Sequence, residues 1–515
     1  MDCPRRIETG SGATLEYQGR LLYSRTQPDR RCVRVAASLS LRCDTLYLLP
    51  SPLLLYGVPE LLEKLPSSSF LLAIESDESL SRLTEKMLES SPPDPSLFRF
   101  VSAPLNQDLP ALLQRLPGWP FRRVEQIVLN GGYTLNLRRY EEYRETLDRQ
   151  IRISYQDRIT LIFLARRWMK NLFTNLSLET PPSSYRQLRT ALPLVVAGAG
   201  ESLEAGIEEL HRMRHSIYLL AVDTALPTLA ASGLVPDAVV VLEAQFINMR
   251  DFYGTATDEI DLIADLSSYP AVFRLPWRRR YAFYSRFAPL EFLKKRVEPL
   301  LEGYSLQPYG SVGITAAALG ASISGGKIYL TGLDFCYRFG KSHARGTQFI
   351  ASELAESDRP HPAGSYRPFL RRPLLRATGK DGKRDGVLSD LILLNYSASM
   401  KDITAADKRF FDLNPDGLDL GAPYRARIKK EESGETGGLV RASGTLSSDE
   451  GMRLMRKELR YLEGLYREGA AFLCGVPAGE AMAQIDEHDY LYAHFPEELS
   501  RFPRDTTYMK RLLVF

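Results

Sequence analysis

The feature that most constrains the fold is a series of short, uninterrupted apolar runs between residues 192 and 331. Segments with the apolar spacing of helices separate these runs, and Gly, Pro or Asp residues border them. Such runs are typical of strands buried on both faces, and therefore of a parallel sheet with helices between its strands. The sequence thus predicts an α/β fold with a central Rossmann-like parallel sheet. The predicted strands are 194–197, 217–222, 238–242, 262–266, 281–284 and 327–331, and the predicted helices are 202–214, 224–232 and 312–322.

The regions that flank this centre follow other patterns. On the N-terminal side, alternating apolar and helix-like segments predict a smaller α/β unit, and the proline-free stretch 140–177 predicts one long helix or a helix pair. On the C-terminal side, Ser447 and Glu450 have the spacing of a capping box before a helical run at 452–467. We therefore expect three domains, an N-terminal α/β domain at 1–165, a central domain at 166–395 and a mainly helical C-terminal region at 396–515.

The charge balance and the cysteine pattern exclude several classes of protein. Lys and Arg number 66 and Asp and Glu number 63, so the formal net charge is +3, which argues against a general nucleic-acid binder. No stretch approaches the roughly 18 apolar residues that a membrane helix needs, and the N-terminus has no apolar signal core. The five cysteines are scattered without metal-binding spacing. We expect a cytoplasmic, water-soluble protein without membrane insertion and without a nucleic-acid partner.

A glycine-containing turn follows the first predicted strand of the central domain, in the sequence VVAGAGESL at 195–203. The two glycines permit a tight turn into a helix, and backbone N–H groups at such a helix start attract an anion, typically a phosphate. Ser202 can add a hydroxyl donor. The turn has no third glycine and no GKS or GKT, so it is neither a full dinucleotide fingerprint nor a Walker loop. A strand-to-helix connection without a ligand remains an alternative interpretation.

Polar side chains also follow other predicted strands. Asp223 and Thr224 come after the second strand, Glu243 and Gln245 after the third, and Asp334 after the last. In a parallel sheet, ligands bind outside the carboxyl ends of the strands, so all of these side chains belong to the edge that holds the glycine turn. Three acids beside that turn predict a nucleotide site, whereas a single acid there is usually a helix cap.

His343 lies nine residues beyond Asp334, in the small and polar sequence GKSHARG. An imidazole can act as a general base near neutral pH, and the alternative is an ordinary surface histidine. The surrounding stretch 338–384 holds 11 Lys and Arg but only 4 Asp and Glu. Long polar segments of this kind are often functional, and we predict a mobile lid that becomes ordered when a donor binds.

Four sequence blocks together resemble one known family. GAGESL (198–203), AVDTALPTLAASGLVPDAVVVLE (221–243), GSV (310–312) and GLDFCYRFGKSHARGT (332–347) resemble the motility-associated factor (Maf) flagellin glycosyltransferases, which share an MptE-like domain. The resemblance implies a central domain similar to bacterial sialyltransferases. It also implies transfer of a nonulosonic acid, such as pseudaminic or legionaminic acid, from its CMP-activated form to Ser or Thr of flagellin. CMP-sugar and flagellin are then the expected partners, with no obligatory metal or cofactor.

The resemblance further implies roles for individual residues. The turn 198–202 would hold the CMP phosphate, and Tyr337 would add a phenolic hydrogen bond to it. His343 matches the histidine of the last block and is our prediction for the base that deprotonates the acceptor hydroxyl, with Asp334 as the acid of that block. Donor contacts are expected from Gly198, Gly200, Ser202, Asp223, Thr224, Glu243, Gln245, Ser311, Val312, Tyr337, Asn171 and Asn175.

Two positions depart from the family pattern. Glu201 stands where relatives usually have Pro, inside the turn that should attract an anion. In the N-terminal unit, relatives have a glycine-rich turn after the first strand, whereas this chain reads LPSPLLLYG at 49–57. We therefore expect no nucleotide in the N-terminal domain, and we interpret that domain as a degenerate Rossmann-like scaffold or an acceptor-docking surface.

Two further functions fit the same residues. One is a Mg²⁺-dependent 6-hydroxymethylpterin pyrophosphokinase, in which Asp223, Glu243 and Asp334 are the candidate ligands of the metal. The other is a non-catalytic relative that binds flagellin or an assembly partner, an interpretation that Glu201 and the altered N-terminal turn favour.

Overall fold

A computed structural model gives the structure of the chain. It divides the chain into two compact units, Met1–Leu161 and Ile162–Phe515. The structure describes residues 3–90, 92–102, 112–113, 116, 121–337, 341–360, 374–380, 387–429, 447–495 and 509–510, with the backbone alone at 152–158 and 448.

The N-terminal unit holds two small sheets. Its four-stranded sheet is parallel, and alternate residues of each strand belong to separate apolar cores on its two faces, as period-two geometry requires. Leu71 lies in one core and Leu72 in the other. The antiparallel sheet comprises Arg5–Thr9, Gly12–Tyr17 and Arg20–Leu21, and the parallel sheet has the order Phe98–Ser102, Phe70–Glu75, Thr45–Pro50, Arg123–Gln126, with helices Arg30–Ser38, Val58–Lys64 and Glu78–Ser90.

The edge of this small parallel sheet is occupied by its own side chains. Glu75 is fully buried, and its carboxylate accepts hydrogen bonds from the Ser51 hydroxyl at 2.7 Å and from the Tyr140 hydroxyl at 2.8 Å. Ser51, Leu53 and Leu55 all have positive φ in the turn that follows the strand Thr45–Pro50. Protein groups therefore satisfy the acid at the strand end, and burial raises the pKa of Glu75.

The second unit is built on an eight-stranded parallel sheet, which confirms the predicted central Rossmann-like α/β fold. Val195 at its centre pairs with Leu219 on one side and Tyr329 on the other. Two edge strands are absent from the prediction because runs of two or three residues carry no periodic signal. The strand order is Phe410–Asp412, Ile328–Thr331, Leu194–Ala197, Tyr218–Val222, Ala238–Val241, Asp261–Asp265, Arg279–Phe283, Ser183–Ser184.

The order of the strands creates a topological switch point. From Leu194–Ala197 the chain adds four strands on one side, and it then returns to place Ile328–Thr331 on the other side. In open parallel sheets, ligands bind at the carboxyl edge near such a reversal. The sheet also continues to Phe410–Asp412, so the domain boundary predicted at residue 395 does not coincide with the end of the sheet.

Helices surround the sheet and continue into the C-terminal region. The predicted stretch 140–177 is a single 40-residue helix, Leu137–Leu176. Ser447 precedes the helix Ser448–Leu473 but makes no side-chain cap hydrogen bond, so the predicted capping box is wrong in its contacts. The other α-helices of this unit are Ser202–Met213, Leu226–Ala231, Val312–Ile323, Gln348–Ala355, Leu391–Ala406 and Glu480–Ala483.

No helix within the described ranges combines the length and the apolar character that crossing a membrane requires.

Candidate functional site

The glycine turn of the central sheet is hydrogen-bonded throughout by protein groups. The Gly198 N–H donates to the Thr331 carbonyl at 2.8 Å, and the Gly200 N–H donates to the Gly332 carbonyl at 2.7 Å. Both acceptors belong to the neighbouring strand or to the residue after it. These two N–H groups are therefore used in joining adjacent strand ends.

Asp334 occupies the position that we had predicted for a phosphate. Its Oδ2 atom accepts from the Ser202 N–H at 2.8 Å, and its Oδ1 atom accepts from the Ser202 hydroxyl and, at 2.7 Å, from Asn414 Nδ2. A Cβ added at Gly200 would lie 2.7 Å from Asp334 Oδ2, so only glycine permits this approach. The anion at the start of the helix Ser202–Met213 is thus an internal carboxylate. Gly198, Gly200, Ser202 and Asp334 thus all have partners within the protein, and their predicted roles in phosphate binding and catalysis stay predictions.

An apolar side chain packs beside the turn at the switch point. Leu333 is 7% exposed, and its Cδ2 atom would lie 2.5 Å from a Cβ at Gly198 and 2.6 Å from a Cβ at Gly313. The small residues at both positions leave room for this leucine. Space for a ligand at this edge must therefore be sought beyond Leu333, over the ends of Tyr218–Val222 and Ala238–Val241.

A second helix begins at this edge without an internal cap. Ser311 is the N-cap of the buried, small-residue helix Val312–Ile323, and its side chain makes no cap hydrogen bond. The Ser311 carbonyl accepts from the Thr315 N–H at 3.0 Å and from its hydroxyl at 2.8 Å. The first N–H groups of a helix have no partner within the helix, so the start at Ser311 and Val312 is suited to an anion.

Two acidic side chains lie near enough to Asp223, after the second strand, to act on its charge. Asp223 is 2% exposed, and its Oδ1 atom accepts from the Thr224 N–H at 2.8 Å and from the Thr224 hydroxyl at 3.3 Å. Burial, together with the negative charges of Asp251 and Glu243, raises the pKa of Asp223 to about 7. Burial also raises the pKa of Asp251 to about 6. Sequence reasoning missed Asp251 because it lies in a 3-10 helix, Phe246–Phe252, rather than directly after a strand.

Glu243 and Gln245 form the turn that leads into this 3-10 helix. Glu243 Oε1 accepts from the Ala244 N–H at 3.0 Å and the Gln245 N–H at 3.1 Å, so its carboxylate organises the local backbone. Gln245 is half-buried. Next to it, Phe246 is 60% exposed and packs edge-on against Tyr269 with ring centres 5.6 Å apart. The edge thus carries an aromatic surface beside its acids.

Asn171 and Asn175 hold two strand-end loops together. Asn171 Nδ2 donates to the carbonyls of Ala244 and Ser267, both at 3.0 Å. Asn175 Nδ2 donates to the carbonyls of Leu266 and Ser268, both at 2.9 Å. Both side chains are buried. Their amide nitrogens therefore bond the backbone that shapes the edge, and their predicted role as donor ligands stays a prediction.

The loop that carries His343 packs against the glycine turn. The Ala344 N–H donates to the Ala199 carbonyl at 2.8 Å, which ties the two loops together. His343 is half-buried, its Nδ1 lies 2.8 Å from the Ser342 hydroxyl, and its ring lies 5.0 Å from that of Phe349. Burial lowers the pKa of His343 to about 4, so the imidazole is neutral and able to accept a proton at physiological pH.

The cations that flank His343 pair with acids of the helix start. Lys341 Nζ lies 3.6 Å from a Glu201 oxygen and 3.4 Å from a Glu204 oxygen, and Arg345 Nε lies 2.6 Å from Glu204. Glu201 therefore stands beside a balancing positive charge.

Tyr337 contacts a protein carboxylate instead of an open pocket. Its hydroxyl donates to Asp390 Oδ2 at 2.7 Å, and Asp390 also caps the helix Leu391–Ala406 by accepting from the Leu393 N–H. The phosphate bond that we predicted for Tyr337 stays a prediction. The predicted lid at 338–384 includes 338–340, 361–373 and 381–384, which lie outside the described residues, and it stays a prediction.

In the part of the chain that the structure describes, no three His, Cys, Asp or Glu side chains are grouped so as to hold a metal ion.

Comparisons with known proteins agree with this architecture. Residues 166–340 match the family described as 6-hydroxymethylpterin diphosphokinase MptE-like. An uncharacterized protein of Treponema pallidum (strain Nichols) is 31% identical over 430 residues, which cover 81% of this chain and 73% of the relative. A second uncharacterized protein of that organism is 28% identical over 116 residues, which cover 22% of this chain and 54% of the relative.

A solved structure shares the fold. The Maf glycosyltransferase of Magnetospirillum magneticum AMB-1 superposes with a TM-score of 0.55 at 16% sequence identity, over 99% of this chain and 86% of that one. The resemblance noted from the sequence blocks is thus confirmed for the MptE-like domain and for the fold.

Proposed function

Because this chain belongs to the same family as its Treponema pallidum relative, contains an MptE-like domain at 166–340 and shares the fold of a Maf glycosyltransferase, we propose that it is a glycosyltransferase. The proposed donor is a CMP-activated nonulosonic acid, and the proposed acceptor is a Ser or Thr hydroxyl of flagellin. The fold supports the reaction class, the donor and the acceptor are those that the resemblance to the Maf family implies, and the residue roles below are inferences from the chemistry of the site.

One observation carries the proposal, namely a neutral histidine at the carboxyl edge of a parallel sheet. The pKa of His343, lowered to about 4 by burial, leaves a free base at neutral pH, and the Ser342 hydroxyl at its Nδ1 orients the ring. Nε2 is then the atom that takes the proton of the acceptor hydroxyl. Transfer to an alcohol requires a group that can accept the hydroxyl proton, and a neutral imidazole can do so.

The donor phosphate belongs at the start of the helix Val312–Ile323. The N–H groups at Gly198, Gly200 and Ser202 already bond protein acceptors, whereas Ser311 makes no cap contact. A helix start stabilises the negative charge that grows on a departing phosphate. This placement keeps Ser311 and Val312 as donor contacts and moves the phosphate away from the glycine turn.

The reaction then follows from these groups. The bond between the anomeric carbon and the phosphate oxygen breaks, and its electron pair stays on CMP. An oxocarbenium-like state develops on the sugar, and the acceptor oxygen attacks the anomeric carbon as His343 takes its proton. The Arg345 side chain, two residues after His343 and 76% exposed, supplies a cation for the sugar carboxylate.

Transfer in vitro tests the proposal. The full chain is incubated with CMP-nonulosonate and flagellin, and the intact mass of flagellin is measured. We expect mass increments of one sugar for the wild type, none for His343→Ala, and normal transfer for His215→Ala, an exposed histidine elsewhere. Full transfer by His343→Ala would remove the assigned base, and absence of transfer by the wild type would remove the function.

A Mg²⁺-dependent pyrophosphokinase is the second candidate, favoured by the description of the matched family. Its proposed ligand set is weakened by the geometry, because Asp334 is bonded to Ser202 and Asn414, away from free space. Formation of AMP from ATP, Mg²⁺ and 6-hydroxymethylpterin would support this candidate over the first.

A further inference from the structure

Asp223 and Asp251 are two buried carboxyl groups at the site. The contacts described above do not compensate the cost of burying both of them. Asp251 is 94% buried, and among the described residues its carboxylate has no hydrogen-bond donor. It is the strongest charged neighbour of Asp223. A buried carboxylate without a donor is costly, and it therefore indicates a partner that arrives from outside.

Among the described residues, the charged groups that act most strongly on Asp223 are acids, and burial alone raises the pKa of Asp251. Glu243 faces Asp223 from the loop after Ala238–Val241, and Thr224 donates only to Asp223 Oδ1. The helix Val312–Ile323, which packs on the same strands, has no titratable side chain.

The loop 341–347 contacts the helix Leu226–Ala231 through Thr228, whose hydroxyl donates to the Arg345 carbonyl. Its cations are Lys341 and Arg345, which pair with Glu201 and Glu204, and its remaining titratable group is His343. Asp223 Oδ2 and the Asp251 carboxylate are therefore left for a ligand.

We infer that the Asp223–Asp251 pair reads the base of the nucleotide donor, with a protonated Asp223 donating to N3 of cytosine and an ionised Asp251 accepting from its N4 amino group. The inference rests on the proposed function, because it assumes a cytidine nucleotide. Carboxylates in proteins accept hydrogen bonds from the N4 amino group of cytosine. Proteins that hold a base in a pocket commonly bind its Watson–Crick edge, which carries N3 and N4. The exposed Phe246 ring on the same 3-10 helix supplies a surface on which a base can stack.

The arrangement discriminates between bases through the position of one proton. Burial and two neighbouring acids raise the pKa of Asp223 to about 7, so its carboxyl carries a proton near neutral pH. Uracil presents a donor at N3 and an acceptor at O4, the reverse of cytosine. To bind uracil, Asp251 would have to carry the proton, and the more deeply buried Asp223 would have to be ionised. Cytosine is therefore the better ligand. Pterin, which presents two adjacent N–H donors, would need an ionised carboxylate and would show the opposite dependence on pH.

Equilibrium binding of CMP and UMP to the full chain tests the inference between about pH 6 and pH 8.5. For the wild type we expect CMP to bind more tightly than UMP, and CMP affinity to fall by about tenfold per pH unit above the pKa of Asp223. Asp223→Asn should keep CMP binding close to that of the wild type and make it independent of pH above about pH 7, where Asp251 is ionised. The reason is that Thr224 holds the amide oxygen and the amide nitrogen replaces the O–H donor.

Two further variants complete the design. Asp251→Ala should weaken CMP and leave UMP little changed, and the exposed Asp258→Asn should change neither. Thermal unfolding of each variant checks that it is folded. Asp223→Asn is nearly isosteric with the wild type, so it still tests the inference if Asp251→Ala does not fold.

Each result decides the question. CMP binding that is flat with pH in the wild type, or equal binding of UMP, overturns the base-reading role and leaves the proposed donor intact. Failure of CMP to bind at any pH overturns both, and binding of 6-hydroxymethylpterin that strengthens as pH rises supports the pyrophosphokinase instead.

Discussion

The carboxylate of Asp334 accepts hydrogen bonds from both the backbone N–H and the side-chain hydroxyl of Ser202. The residues are 132 positions apart in the chain, and the contact joins the ends of two adjacent strands at the switch point. Asn414 adds a third donor from beyond the edge strand Phe410–Asp412. An acid that sequence reasoning assigned to catalysis thus caps a helix and fastens three segments of the sheet edge.

The main effect of Asp334→Ala should therefore be a loss of stability. It removes an acceptor shared by three buried donors, so we expect the free energy of unfolding to fall by about 2–4 kcal/mol. Asp334→Asn, which keeps one oxygen, should lose less. Urea unfolding measures both, with Asp402→Asn on the exposed face of Leu391–Ala406 as the control. Wild-type stability in Asp334→Ala would contradict the capping role.

Gly200→Ala tests the close approach of the two strand ends. The new Cβ would lie 2.7 Å from Asp334 Oδ2 and 2.8 Å from the Gly332 carbonyl oxygen, and neither atom can move without breaking a hydrogen bond. We expect a loss of about 1–3 kcal/mol in unfolding free energy. At Gly325 an added Cβ meets nothing within 4 Å, so Gly325→Ala is the matched control. Equal stability of both variants would count against the packing described.

Asn175→Ala should loosen the loop that follows the strand Asp261–Asp265. The substitution leaves the carbonyls of Leu266 and Ser268 without the amide that bridges them, and we expect a loss of about 2–3 kcal/mol in chemical denaturation. Lys170→Ala, on the exposed side of the same helix, should change stability little. If the Asn175 side chain instead contacted only the sugar-nucleotide donor, Asn175→Ala would alter nucleotide binding and leave the free energy of unfolding unchanged.

The low pKa of His343 predicts how stability depends on pH. The folded-state value is about 4 and the ordinary value 6.5, so between these limits the unfolded chain binds a proton that the folded chain does not. The free energy of unfolding should fall as pH drops from about 6.5 to about 4, by at most about 3 kcal/mol. His343→Gln should reduce this loss, whereas the exposed His215→Gln should keep it. Parallel stability profiles for the wild type and His343→Gln would refute the assigned burial.

Much of the fold could be predicted because the central strands are buried on both faces. Runs such as 194–197 and 238–241 are apolar without interruption, and no other environment accommodates them. The short edge strands Ser183–Ser184 and Phe410–Asp412 could not be predicted, since their pairing depends on neighbours that are distant in the chain. Ser447 and Glu450 had capping-box spacing, yet spacing alone does not form the hydrogen bond.

The sequence predicted where the site lies, at one edge of the sheet, and the structure showed which of its side chains contact one another. Polar residues directly after strands have to lie at the carboxyl edge of a parallel sheet, so the sequence by itself determined that Gly198, Asp223, Glu243 and Asp334 share that edge. Which of them bond one another depends on the order of the strands and on side-chain geometry. Only the tertiary structure showed that Asp334 binds Ser202 and that Asp251 faces Asp223. The physical reason is that local pattern determines burial and direction, whereas hydrogen bonds between distant segments depend on positions of a few tenths of an ångström that no local pattern records.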